Sequence, residues 1–244
     1  MQEHIGEHYI WKVPVLGALH ADTIMTTWLV MIVSLALFAW VGASYRRSQY
    51  IGKRHAIAES IINYIADLTT SSLGVAGEPF IPFFVALFIF IFLLNQFGML
   101  PFKAVGLPFG GSPTADINTV IPLALIVFFM IQIVALRRKG LKYVGHVLTP
   151  FWWLAPINTL EELVRPVTLS ARLFFNIFVG ELLFIIVASV VIAHVKIGWF
   201  DLSLSMTFVP FLIQLFNFFV GTVQAFVFTL LAIVYMSLAI AEEH

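Results

Sequence analysis

Arg172 and Glu181 are the two residues whose types and spacing point most directly to chemistry. Both lie in residues 163–195, a largely apolar run that is long enough to enter a bilayer. A guanidinium does not give up its proton in proteins, so Arg172 cannot become neutral there. A cation at the bilayer centre costs roughly 3 to more than 10 kcal/mol, and charges kept at such a cost usually mark ion pathways. This pair is therefore the candidate functional centre.

A purely structural role is the alternative for these charges, as an internal ion pair that only holds helices together. Glu181 follows Arg172 by nine residues, which is about 2.5 helical turns. The two side chains therefore project from opposite faces and cannot pair on one straight helix. The spacing favours separate roles for the two residues.

The composition is that of an integral membrane protein. The 244 residues are 61% hydrophobic and 11% charged, with a mean hydropathy of +0.99, whereas a soluble domain carries about 25% charged residues. The net charge of zero gives no indication of a nucleic-acid partner. The absence of cysteine excludes disulfides and thiolate metal sites. Residues 1–12 lack the cationic and small-residue features of a signal peptide.

We predict an all-α integral membrane protein that forms one membrane domain over residues 1–244. About five membrane-embedded helices are expected, since uncharged windows of this length can cross a hydrocarbon core of about 30 Å. Residues 1–22 form an outer N-terminal segment. The predicted membrane helices cover residues 23–45, 79–100, 117–136, 156–192 and 206–241.

Residues 55–72 are too polar to span a membrane, but their apolar side chains recur at helical spacing. The apolar stripe consists of Ile57, Ile61, Ile65 and Leu68. This pattern predicts an amphipathic helix that lies on the cytoplasmic surface. A solvent-exposed linker helix is the alternative.

The cations predict the orientation of the chain. Eight of the 13 Lys and Arg residues fall in two loops, which should face the cytoplasm: Arg46, Arg47, Lys53, Arg54, Arg137, Arg138, Lys139 and Lys142. The loops 103–116 and 196–201 then face outside. Five crossings place the N-terminus outside and the acidic tail 242–244 in the cytoplasm.

The last two helices are too long to stand upright in a membrane. Residues 210–241 would extend roughly 48 Å as one helix, and residues 156–192 are longer still, with Pro166 as a predicted kink. A core of about 30 Å would require a tilt of roughly 50°. We therefore predict a long, strongly tilted hairpin, with a helix break near Gly221 as the competing explanation.

Amide side chains lie near the two charges. Asn176 follows Arg172 by four residues and shares its face, while Asn217 and Gln224 are seven residues apart on one face of the last helix. These groups predict a polar seam between the two helices. Amides in membranes more often hold helices together, which is the simpler interpretation.

The sequence offers little support for other chemistry. His4 and His8 have helical spacing but no third ligand nearby, and the phosphate-binding, esterase and zinc-protease motifs are absent. We expect no catalytic site, no metal site and no cofactor.

Five motifs in order along the chain carry a family resemblance. They are PTADINT at 113–119, PINTLEE at 156–162, RPVTLSARLFFN at 165–176, GEL at 180–182 and QAFVF at 224–228. Together they resemble the signature of subunit a of F-type ATP synthases. The resemblance implies an ion half-channel stator packed against a rotating ring of c subunits, with a nearly horizontal hairpin of the last two helices.

The resemblance also implies roles for individual residues. In the family, the arginine that matches Arg172 faces the ionisable carboxylate of the ring, and the glutamine that matches Gln224 lies close to it. The remaining matches belong to two aqueous paths: Asn176, Glu181, Asp116 and Asn118 belong to or border the outer path, and Glu161 and Glu162 lie toward the inner path.

Three positions depart from the family pattern. Phe175 replaces the usual glycine, Ala171 replaces a common leucine, and Asn217 stands where many members carry histidine or glutamate. Because asparagine cannot titrate, Asn217 can only order water or hydrogen-bond a carboxylate. Glu181 is then the predicted titratable carrier of the outer path within the membrane.

The implied partners are the c-subunit ring, the peripheral-stalk b subunits, the rest of the ATP synthase complex and the lipid bilayer, with no nucleic acid. The predicted location is a bacterial cytoplasmic (inner) membrane, and a thylakoid or mitochondrial inner membrane is the alternative. A second function class is a proton-coupled secondary transporter of an anionic substrate, bound by Arg172 with Glu181 as the proton carrier. That class predicts inverted repeats and broken helices, which the sequence does not contain. A structural scaffold is the third class.

Overall fold

The computed structural model describes residues 10–13, 17–47, 53–98, 112–140, 153, 155–194 and 203–240. The predictions for His4 and His8, for the loop 196–201, for residues 103–111 and for the tail 242–244 lie outside these residues.

Long α-helices make up nearly all of the described chain. They are α1 (Ala21–Arg47), α2 (Lys53–Leu73), α3 (Ile81–Gly98), α4 (Ile117–Lys139), α5 (Ala155–His194) and α6 (Ser203–Ile240). A 3-10 segment, Gly74–Phe80, joins α2 to α3, and a 3-10 turn, Pro113–Ala115, precedes α4. Five stretches of these helices are long and apolar enough to span a membrane. The prediction of an all-α integral membrane protein is confirmed.

A small antiparallel hairpin precedes the helices. It pairs β1 (Ile10–Val13) with β2 (Gly17–His20), with Ile10 opposite His20. The sequence does not predict it, because two strands of four residues are too short for a period of two to stand out.

One side of the helix α2 packs against the rest of the protein. Ile65 and Thr69 are almost fully buried, and α2 packs against α3 and α6. The Thr69 hydroxyl donates to the carbonyl oxygen of Ile65 at 2.7 Å, so its polar group is satisfied within the helix. The predicted stripe therefore faces protein at Ile65, while the placement of α2 at a membrane surface stays a prediction.

The core lies where α3, α4, α5 and α6 pack together. Its fully buried large side chains include Phe84 and Leu94 from α3, Val127 from α4, Leu173 from α5 and Phe228 from α6. These core side chains pack against one another inside the protein. Apolar side chains on the other faces of the helices are exposed.

Both ends of α4 carry sequence signals. At its start Asp116 accepts a hydrogen bond from the backbone amide of Asn118 at 2.9 Å, the contact of an N-cap. At its end the Gly140 amide donates to the Leu136 carbonyl at 2.8 Å, with Gly140 at a φ of +61° that favours glycine. Three cations in the last turn suit the negative end of the helix.

The two C-terminal helices are unusually long. With 40 and 38 residues, α5 and α6 extend about 60 and 57 Å, roughly twice the thickness of a hydrocarbon core. The helix α6 is continuous through Gly221, and α5 is continuous through Pro166. A helix break at Gly221 is therefore not the explanation for the length. The tilt of the pair in a bilayer stays a prediction that this length supports.

Candidate functional site

Glu181 lines a pocket between α5, α6 and the turn that precedes α4. It is half-buried, and its Oε1 accepts a hydrogen bond from the backbone amide of Ser112 at 2.9 Å. The pocket is partly open to solvent, and its lining is Ser112, Asn176, Ile177, Gly180, Glu181, Asn217 and Val220. Two of the amides that the sequence places near Glu181, Asn176 and Asn217, thus lie in the same pocket.

Gly180 allows α6 to approach Glu181 closely. The buried Asn217 donates from Nδ2 to the Gly180 carbonyl oxygen at 3.2 Å. A Cβ atom at position 180 would lie 2.8 Å from the Asn217 Oδ1, which is closer than real Cβ contacts. A side chain at position 180 would therefore displace the Asn217 amide from its present position.

Asn176 links this pocket to Gln224. Its Nδ2 donates to the Oε1 of Gln224 at 2.9 Å, and it also lines the Glu181 pocket. Gln224 is buried, and its Nε2 has no hydrogen-bond partner among the described residues. An unpaired amide nitrogen inside apolar protein favours a water molecule or another polar group at this point of the seam.

Cysteines introduced at positions 176 and 224 should be joined by a short bis-methanethiosulfonate cross-linker, because the chain is naturally Cys-free and the native side chains meet end to end at 2.9 Å. A pair at 164 and 224 is the matched control, since position 164 lies 12 residues, about 18 Å, farther along α5. Gel mobility without reductant measures the yield. Equal yields from the two pairs would contradict the register of α5 against α6.

Arg172 lies on an exposed face of α5, pointing away from the protein core. It is exposed, as are its neighbours on the same helical face, Thr168, Phe175 and Val179. The buried side of α5 is formed by Leu169, Leu173 and Ile177. Within the described part of the chain, Arg172 has no hydrogen-bond or ion-pair partner, and Glu181 bonds Ser112 instead. The simple internal Arg172–Glu181 pair is therefore absent from the described structure.

A second polar cluster surrounds Arg165. Its guanidinium lies 3.2 Å from Glu162 and 3.6 Å from the exposed Glu161, and it stacks over the Tyr235 ring at 5.6 Å. The Nε2 of Gln132 on α4 also donates to Glu162. A second pocket, bordered by Pro166 and Leu169, is also lined by Arg165, Glu162, Gln132 and Tyr235 but not by Glu161. The predicted acidic pair thus belongs to a network that joins α4, α5 and α6.

Asp116 and Asn118 lie apart from the Glu181 pocket lining. The Asp116 carboxylate accepts from both the backbone and the side-chain nitrogen of Asn118, at 2.9 and 3.0 Å. Their observed contact is the N-terminal cap of α4, a structural role that the sequence pattern also permits. A role at the entrance of an ion path stays a prediction.

Several polar residues of the site are not predicted from the sequence. Asn95 donates to the Gly221 carbonyl at 2.9 Å, and Gln96 donates to the Phe218 carbonyl at 3.2 Å, so α3 holds α6 near Asn217. The available signal is that these amides interrupt an otherwise apolar window. Ser112, Gln132 and Tyr235 are the other additions. No cluster of three or more His, Cys, Asp or Glu residues that could hold a metal ion occurs in the described ranges.

The comparison with curated proteins corrects the predicted location. The chain is 31% identical over 244 residues to the chloroplastic ATP synthase subunit a of Bigelowiella natans, covering 98% of this chain and 94% of that protein. This finding contradicts a bacterial cytoplasmic membrane and points to a plastid-type membrane. The length of a membrane helix reflects the thickness of the hydrocarbon core, and the bias of the cations reflects how the chain is inserted. Both are too similar in bacterial and plastid membranes to tell the two locations apart, which is why the prediction is wrong.

The family itself follows from the extent of the match. The sequence profile of the family described as ATP synthase A chain matches residues 24–237, which include all six long helices in whole or in large part. The relative from Bigelowiella natans is likewise matched over nearly its full length. The resemblance carried by the five sequence motifs is confirmed, and the chain belongs to the ATP synthase A chain family, as subunit a of an ATP synthase complex.

Proposed function

We propose that this chain is the ion-translocating stator subunit of a rotary F-type ATP synthase. Two offset aqueous half-channels deliver protons to and from carboxylates on a ring of c subunits, and Arg172 prevents a direct ionic short circuit between them. The chain has no catalytic site of its own. Its partners are the c-ring, the peripheral-stalk b subunits and the rest of the complex, and its coupling to ATP synthesis is mechanical.

The exposure of Arg172 carries this proposal. Over residues 166–187 and 208–240, Arg172 and Glu181 are the only charged residues, and Arg172 is the exposed one. An exposed cation amid Phe175 and Val179 would be costly against hydrocarbon. A carboxylate on a partner subunit that packs on this face removes that cost, which is the chemistry that a rotor site supplies.

Electrostatics gives Arg172 its role. Opposite charges about 4 Å apart at an effective dielectric near 20 attract by roughly 4 kcal/mol. This attraction stabilises the deprotonated rotor carboxylate as it passes and forces it to bind a proton again only on the far side. A potential of 100 mV supplies about 2.3 kcal/mol per charge, so the two energies are of the same order.

The spacing of the two pockets supports offset half-channels. Glu162 and Glu181 are 19 residues apart on α5, about 28 Å along its axis, and Arg172 lies near the midpoint. Glu181 with Asn217 and Asn176 forms the outer path toward Gln224. The Glu162 cluster with Glu161 forms the inner path. Asp116 and Asn118 lie near the outer entrance, where the carboxylate draws cations.

Purification of the native assembly tests this function. A tagged chain should bring down a c-ring and an ATPase head in fixed ratio from mildly solubilised membranes. A secondary transporter would hold its anionic substrate inside the protein, and it would purify alone or as copies of itself. Recovery of the pure chain under conditions that keep the peripheral-stalk contacts of ATP synthases intact would overturn the proposal.

A further inference from the structure

The turn before α4 is buried beside the Glu181 pocket. Ser112, Pro113 and Thr114 are buried, and the turn contacts α1, α3, α4 and α5. The hydroxyl groups of Ser112 and Thr114 bond each other at 2.7 Å. The backbone amide of Ser112 is then the group that the turn directs at the Glu181 carboxylate, at 2.9 Å.

Gly98 at the end of α3 makes this placement possible. A Cβ atom at position 98 would lie 2.2 Å from both the Cα and the Cβ of Ser112, and 2.5 Å from its Oγ. Because the Cα belongs to the backbone, no rotation of a side chain relieves this overlap. Any larger residue at 98 therefore forces the turn away from its present position, and the Ser112 amide with it.

We propose that the backbone amide of Ser112 is a positioning group for ion transfer at Glu181, and that the absence of a side chain at Gly98 allows the turn to hold this amide in place. The inference rests on the proposed role of Glu181 in the outer half-channel. A hydrogen bond to a carboxylate is among the stronger ones in proteins. An amide in a buried turn cannot swing away as a side-chain donor can, so it holds the carboxylate at a fixed position beside Asn176 and Asn217.

Proline at position 112 removes this donor with little change to the backbone. Ser112 has φ −75° and ψ 122°, which fit both a proline and a residue that precedes one, as Ser112 precedes Pro113. Ser112→Ala is the matched control, because it keeps the amide and removes the hydroxyl. At equal amounts of assembled complex, we expect Ser112→Pro to pump ions about tenfold more slowly than Ser112→Ala. Equal rates would overturn the inference.

A second pair of variants covers a failure of Ser112→Pro to assemble. Gly98→Ala should lower ion flux about tenfold, whereas Gly42→Ala should not, since a Cβ at position 42 meets no atom within 4 Å. Equal flux from these two variants would overturn the inference.

A double-variant cycle separates positioning from general damage. Aspartate at 181 is one methylene shorter and should not reach the Ser112 amide. On a Glu181→Asp background, Ser112→Pro or Gly98→Ala should therefore lower ion flux less than twofold. The same tenfold loss on both backgrounds would overturn the inference and mark a merely structural turn. Wild-type flux in Glu181→Gln would instead overturn the proposed role of Glu181 itself.

Discussion

Replacing Arg172 with alanine should abolish ATP-driven ion pumping and coupled ATP synthesis while the complex stays assembled. The side chain is exposed and has no partner among the described residues, so its removal leaves no cavity and no unpaired internal charge. What is lost is the attraction to the rotor carboxylate, about 4 kcal/mol, which corresponds to roughly a thousandfold in rate. Assembly is measured by native gel, and pumping by quenching of a pH-sensitive dye in proteoliposomes.

Two further variants sharpen this experiment. Arg172→Lys should also be badly impaired, because a compact ammonium lacks the planar fork of a guanidinium and can lose its proton in an apolar site. Arg137→Ala is the matched control, since it removes an exposed cation at the end of α4 and should pump normally. Near-normal pumping by assembled Arg172→Ala complexes would refute the stator mechanism.

The membrane helices are predictable because one strong effect decides them. A charged side chain is so costly in hydrocarbon that uncharged windows coincide with helices: residues 117–136 fall inside α4, and residues 23–45 fall inside α1. The same effect makes Arg172 and Glu181 conspicuous. The helical period then places Asn217 and Gln224 on one face, and both bond groups of α5.

The fine structure of the site is not predictable in this way. Ser112 acts through its backbone amide on a residue 69 positions away, and every residue type except proline carries that group. Gly98 is informative only once Ser112 is known to lie against it. The burial of Ile65 depends likewise on where α2 packs against α3 and α6.

Replacing Glu181 with glutamine should reduce ion flux about a hundredfold or more without disassembly. Glutamine keeps the shape and can still accept the Ser112 amide hydrogen bond, so the pocket retains its packing. It cannot bind and release a proton, and the side chains that share the pocket with Glu181 are not titratable. Glu181 is therefore the carrier that the outer path loses. The matched control is Glu78→Gln, which removes an exposed carboxylate outside both pockets and should pump normally.

Restoring a carboxylate nearby provides the strictest test of that assignment. Asn217 reaches the carbonyl of Gly180, the residue before Glu181, so a glutamate at position 217 would place a titratable group in the same pocket. On the Glu181→Gln background, Asn217→Glu should recover part of the flux, and Glu181→Asp alone should also retain some. A wild-type rate of dye quenching in Glu181→Gln proteoliposomes would show that protons do not pass through this carboxylate. A loss of flux that Asn217→Glu reverses in part would instead locate the carrier in the pocket, where a proton can pass from either carboxylate toward Asn176 and Gln224.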